Sequence, residues 1–217
     1  MHSPRCEKVN VSIQFLREGT QARHTALEQT PLARDLMSKD VSVDRYVEIL
    51  ATWVGAWAVL EDRIESSSFA PMVSALLPSR RSHLGHDDLR YWATQGYAVR
   101  RTPATDVDAL RQLEAADSAS LLGVCYVARG ASLGAQVIAR HLLQTLPPGA
   151  AQGIKFFAPG SAPALTWPQW THALNIYLET PAAVARAVVS ADATFAALHR
   201  AFSCASITAA RPKIKNA

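Results

Sequence analysis

His24 and Glu28 stand four residues apart in the run Leu16-Arg17-Glu18-Gly19-Thr20-Gln21-Ala22-Arg23-His24-Thr25-Ala26-Leu27-Glu28. Side chains four apart on a helix are neighbours. An imidazole whose one ring nitrogen is held by a carboxylate presents the other to a metal with its tautomer and ring plane fixed. That chemistry makes His24 a candidate metal ligand and Glu28 its orienting partner. The same spacing also describes a surface pair or a satisfied helix histidine, and the segment alone leaves both readings open.

A second segment, Tyr126-Val127-Ala128-Arg129-Gly130-Ala131-Ser132-Leu133-Gly134-Ala135-Gln136-Val137-Ile138, lies inside a long helical run. Each glycine in a helix interior costs about 1 kcal/mol relative to alanine, so Gly130 and Gly134 together give up roughly 2 kcal/mol. Two needs explain that sacrifice. One is a close crossing with another helix, since small residues four apart let backbones approach. The other is a flat ligand lying on exposed backbone, with the helix bending there.

The elements that carry these segments follow from periodicity. Val11, Phe15, Ala22 and Ala26 recur at helical steps, as do Tyr46, Ile49, Leu50, Trp53, Trp57, Leu60 and Ile64. Ser42 is placed to cap the second run, which fades in Glu65-Ser66-Ser67-Ser68 after about six turns. Further helices are expected near 69–77, 86–95, 106–117, 119–146, 166–179 and 181–203. Pro78, Pro103, Pro147-Pro148, Pro159 and Thr180-Pro181 punctuate them. Strand alternation is nearly absent, so an all-α, single-domain multi-helix bundle is expected.

With 217 residues, 49% hydrophobic and 18% charged, the chain can close one substantial core. The expected division is a tail over 1–9, one domain over 10–203 and a tail over 204–217. Cys6, Cys125 and Cys204 are far apart and show no CxxC or Cys/His spacing, which excludes a disulfide framework or structural zinc from the reading. A net charge of +4 is spread among interleaved acids. Only Arg80-Arg81, Arg100-Arg101 and the tail Arg211 to Lys215 cluster, which fits solvated surface better than a nucleic-acid stripe. No run reaches the roughly 18 uninterrupted apolar residues of a membrane span, and Met1-His2-Ser3-Pro4-Arg5 lacks a secretory core. A cytoplasmic protein with no membrane or nucleic-acid partner is expected.

Taken together, these segments resemble a biliverdin-producing haem oxygenase, most closely the bacterial type found beside bacteriophytochromes. Leu16 to Glu28 resembles the family's proximal helix and Tyr126 to Ile138 its distal helix. Ala51 to Ile64, with Trp53, Trp57, Leu60 and Glu61, agrees in order and spacing, as does Lys155-Phe156-Phe157 followed by Trp167, Trp170, Leu174 and Leu178. The similarity runs on through Thr180-Pro181 to Ala191, Phe195 and Phe202, covering roughly residues 10 to 203.

The resemblance implies that haem is both substrate and cofactor, with His24 as the iron ligand and Glu28 orienting it. It also implies that Gly130 and Gly134 flank the oxygen-binding face. Arg17, and His172 in a looser alignment, match positions that hold haem propionates. Electrons from a ferredoxin-type donor or its reductase, together with dioxygen, then give biliverdin, ferrous iron and carbon monoxide. No flavin or nucleotide motif occurs in the chain, so the reductant is external. The product can serve as bacteriophytochrome chromophore, and the same reaction can serve iron acquisition.

Three positions depart from the family's pattern. Ala135 stands where many relatives have a second glycine, Ala131 where animal enzymes have a water-organising aspartate, and Gln21 where a second basic residue is common. Ser132 is then the nearest distal hydroxyl. Ala131 and Ala135 motivate a different class of protein, a non-catalytic haem carrier or sensor of the same fold. A structural bundle in which His24 is incidental is the third. The other histidines, His2, His83, His86, His141 and His199, are expected to be ordinary surface or core residues.

Overall fold

Helix starts in this protein are written in side-chain oxygens. In the computed structural model, which describes residues 11–99, 107–158, 160 and 164–209, α1 spans Val11–Glu28 and α2 spans Pro31–Leu36. The Thr30 hydroxyl caps α2 by accepting from Ala33 N–H, and Pro31 occupies the first turn, where its missing N–H has no partner to lose. Ser42 caps α3 (Val43–Glu65) through Arg45 N–H, as its position predicts. Asp117 opens α6 (Ser118–Thr145) through Ser120 N–H, and Thr166 with Gln169 forms a capping box on α7 (Trp167–Tyr177). The last helix, α8, runs Pro181–Ala209.

Three expected helices differ in the structure, two of them because a side chain distant in sequence intervenes. The stretch expected near 69–77 is a 3-10 turn over Ala70–Leu76, broken at Val73 (φ −123°, ψ 22°). The helix expected over 106–117 shrinks to α5, Asp108–Arg111. Arg63 donates two hydrogen bonds, at 2.9 and 2.6 Å, to the Leu113 carbonyl and draws off an acceptor that a continuing helix needs. Conversely, α4 begins early, at Ser82–Thr94, because the buried Glu61 carboxylate accepts from the N–H groups of Arg81 (2.8 Å) and Ser82 (3.3 and 3.2 Å). Cys6, Arg100-Arg101, Pro103 and Arg211 to Lys215 lie outside the described residues, as does most of the Pro159 to Pro163 loop.

The described residues contain only helices and turns, and α8 is their spine, packed along α1 and α6. Ala183, Ala187 and Ala191 form a buried row of small side chains four apart, which lets another backbone come close. Gly123 of α6 takes that place: a β-carbon there would meet the Ala187 carbonyl oxygen at 2.1 Å. By length and composition α6 and α8 are apolar enough to cross a membrane, with mean hydropathies of 1.4 and 1.2. Here their apolar residues pack on one another and on α1, forming the interior of the bundle.

A second brace runs behind α3. Gly153 O accepts from the Tyr46 hydroxyl (3.0 Å) and Trp92 Nε1 (2.8 Å). The buried Asp88 carboxylate accepts from Lys155 N–H (2.9 Å) and Phe156 N–H (2.7 Å), one on each oxygen. These bonds seat Phe156 and Phe157 edge-on against Trp53, and Phe156 also against Trp57. Desolvation pushes the Asp88 carboxyl up to about 6, partly opposed by the two amide hydrogen bonds.

Candidate active site

A cleft of about 800 Å³ opens between α1 and α6. From α1 come Arg17, Thr20, Gln21, His24, Leu27 and Glu28; from α6 come Tyr126, Val127, Gly130, Ala131, Leu133, Gly134, Val137 and Ile138. Trp53, Trp57, Leu198 and Phe202 form the apolar back wall, and Leu36, Met37 and Trp167 reach in from the ends. Residues more than a hundred positions apart in sequence thus face each other across a slot.

His24 Nδ1 lies 3.6 Å from Glu28 Oε2, an ion-pair distance longer than a hydrogen bond, with both side chains at least half exposed. Phe195 meets the His24 ring edge-on, with centroids 5.6 Å apart. With Nδ1 turned to the carboxylate, Nε2 is the nitrogen left to ligate. The α6 face opposite offers no side-chain acid or base among its lining residues from Gly130 to Ile138. A β-carbon built on Gly130 or Gly134 meets nothing within 4 Å. The helix-crossing explanation for this glycine pair is therefore set aside, because the close crossing on α6 belongs to Gly123. Gly130 and Gly134 instead leave backbone open to the slot.

A cation and two hydroxyls gather at the Arg17 end. Tyr126 is half-buried beside the Thr20 hydroxyl and the Arg17 guanidinium. Burial raises the phenol's pKa, while the Thr20 hydrogen bond and the Arg17 charge pull it partly back. A cation with two hydroxyls beside a largely apolar back wall can fix the polar edge of an amphipathic ligand.

Of the residues singled out in sequence, Arg17, His24, Glu28, Gly130 and Gly134 come together in this cleft. Ser132 is half-buried and stands outside the lining, and His172 is exposed on α7, away from it. Ala131 lines the slot, whereas Ala135 is buried on the other side of the helix, where its methyl packs in the core. The sequence reading assigned no role to Tyr126 or Phe195, whose signal was an aromatic on the cleft-facing stripe of a helix. Asp88 drew no structural role either, because its partners are the amides of Lys155 and Phe156, far away in sequence.

The family model described as "Heme oxygenase" matches residues 11–203. This chain belongs to the haem oxygenase family. Among curated haem oxygenases, the one from Xanthomonas campestris pv. campestris (strain 8004) is 34% identical over 93 residues, which is 43% of this chain and 56% of that protein. The matched stretch therefore spans just over half of the relative's length.

Solved haem oxygenases share the fold. Haem oxygenase-1 of the cyanobacterium Synechocystis in complex with haem aligns with TM-score 0.67 at 21% identity, covering 89% of this chain and 91% of that one. The Leptospira interrogans haem oxygenase aligns with TM-score 0.68 at 18% identity, covering 88% and 98%. Synechocystis haem oxygenase-2 in complex with haem and NO aligns with TM-score 0.70 at 22% identity, covering 92% and 86%.

Proposed function

We propose that this haem oxygenase family member oxidises haem with dioxygen and external electrons to biliverdin, ferrous iron and carbon monoxide, with His24 Nε2 as the iron ligand. The observation that carries the reading is the pairing of His24 with the bare backbone of Gly130 and Gly134 across one slot. Bound haem supplies the iron that takes dioxygen and the ring that is cleaved.

The chain's own residues do the rest. Glu28 orients His24 and favours the tautomer that leaves Nε2 free. Arg17, Thr20 and Tyr126 offer a cation and hydroxyls to the propionate edge, a role His172 is not placed to share. Trp53, Trp57 and Phe202 exclude water from the back of the slot. Because the α6 face from Gly130 to Ile138 carries no positioned acid or base, peroxidase-like cleavage of an O–O bond is disfavoured, and the ring edge is the remaining target. The unit doing this is the helical domain over 10–203. The electrons come from a ferredoxin-type donor or its reductase, and the product supplies a bacteriophytochrome chromophore in the cytoplasm.

Haem-loaded protein given ferredoxin, its reductase and oxygen is expected to lose its Soret band and gain biliverdin absorption. Stable haem binding with an unchanged Soret band under those conditions would make the protein a carrier or sensor. His24→Ala is expected to lose the five-coordinate histidine spectrum and recover it with added imidazole. An unchanged spectrum in that variant removes His24 as ligand.

A further inference from the structure

The segment of α6 that faces the slot is tied down at both ends by side chains whose partners are backbone carbonyls next to other lining residues. At one end Arg129, half-buried, donates through Nη2 to the carbonyl of Leu165, two residues before Trp167 of the slot. At the other, His141 Nε2 lies 3.0 Å from the carbonyl of Ser38, in the turn after α2 and next to Met37 of the slot. A carbonyl oxygen only accepts, so His141 must carry its proton on Nε2. With eleven residues between them, the two ties stand about 18 Å apart along the helix.

That stretch is the least supported part of α6. It holds Gly130 and Gly134, neither of which touches a neighbour through the space where a β-carbon would be. Leu133 and Val137 are 44% and 51% exposed, and Met37 across the mouth is 42% exposed. Ala135 and Ala139 hold its inner face on the core, while the glycine-weakened, half-solvated face toward α1 and α2 is steadied by the two ties.

We propose that Arg129 and His141 are positioning residues that clamp α6 at either end of the slot and so set its aperture, and with it the residence of the ligand. Neither side chain is among the residues lining the slot. Each acts through backbone adjacent to a lining residue, so their loss changes access and leaves the His24 environment intact. The proposal rests on the haem reading only for the identity of the ligand. The clamping itself is a property of the ligand-free chain.

The test uses the full chain with Arg129→Met, His141→Leu, and the donor-retaining His141→Gln. In ligand-free protein, amide hydrogen exchange over 130–140 is expected to quicken roughly five- to tenfold in the Met and Leu variants, the factor one net hydrogen bond carries. His141→Gln is expected to restore slow exchange, and α3 to stay unchanged throughout. With haem bound, transfer to excess apomyoglobin is expected to quicken by a similar factor while the Soret maximum stays in place. Unchanged exchange over 130–140, faster exchange spread evenly over the chain, or no rescue by glutamine overturns the proposal. Failure of the unaltered chain to bind haem strikes the functional reading instead and leaves the exchange result to decide the clamps.

Discussion

The two halves of α6 use the same residue for opposite ends. From Ala119 to Ala128 the helix is buried almost all round, and Gly123 is there because the Ala187 backbone occupies the space of its missing side chain. From Gly130 onward the helix has one face on the core and one on the slot, and Gly130 and Gly134 are there with nothing against them. One glycine is required by packing, and the other two cost helix stability that no contact within the described residues repays. A glycine's meaning thus depends on what lies across from it.

Substitutions can break that comparison. The largest effect is expected at Gly123→Ala, where the new methyl would sit 2.1 Å from a backbone oxygen that no rotamer change can move. Overpacking of this kind is expected to cost about 3 kcal/mol, seen as a large fall in Tm or as insoluble protein, and a wild-type melting curve would contradict the close crossing.

Asp88→Asn tests the brace behind the tryptophan wall. An amide offers one acceptor where the carboxylate offers two, so an N–H of Lys155 or Phe156 is left unpaired, at about 1–3 kcal/mol by chemical denaturation near pH 7. The variant should also change the pH dependence. Asp88's folded pKa, about 6, is above its usual value, so the folded state binds the proton more readily than the unfolded one. Its contribution is therefore present at low pH and lost as pH rises through about 6. That decline should vanish in Asp88→Asn, and its persistence would assign it to another group.

The smallest change in stability, and the sharpest contrast, is expected at Gly134→Ala. With open space around it, the methyl should stabilise the ligand-free chain by about 0.5–1 kcal/mol through helix propensity. The same methyl narrows the slot, so haem turnover should fall about tenfold or more, as single-turnover loss of the Soret band. Destabilisation, or stabilisation with full turnover, would show that Gly134 does not serve the ligand.

Much of the fold was legible before any coordinates. The α3 stripe from Tyr46 to Ile64 and the cap at Ser42 depend on residues within a turn or two of each other, and the structure reproduces both. The errors lay where a distant side chain intervened: Arg63 stopping the helix after Arg111, and Glu61 starting one at Ser82. The site shows the same division. His24 and Glu28 were legible as a pair because four residues make one turn. His172 lies outside the cleft because its helix buries Trp170, Thr171 and Leu174 and turns His172 outward, a rotation that spacing alone does not fix.

Sequence pattern alone suffices to place the long helices and their apolar faces, and to put the His24–Glu28 pair and the Gly130–Gly134 pair on two different helices. Local hydrogen bonding and periodic burial suffice for that much. Packing between distant segments sets the rest: those helices face each other across a slot, Gly123 is the crossing glycine, and Ala135 lies in the core. Those outcomes are set by contacts between residues far apart in the chain, and no short-range pattern carries them.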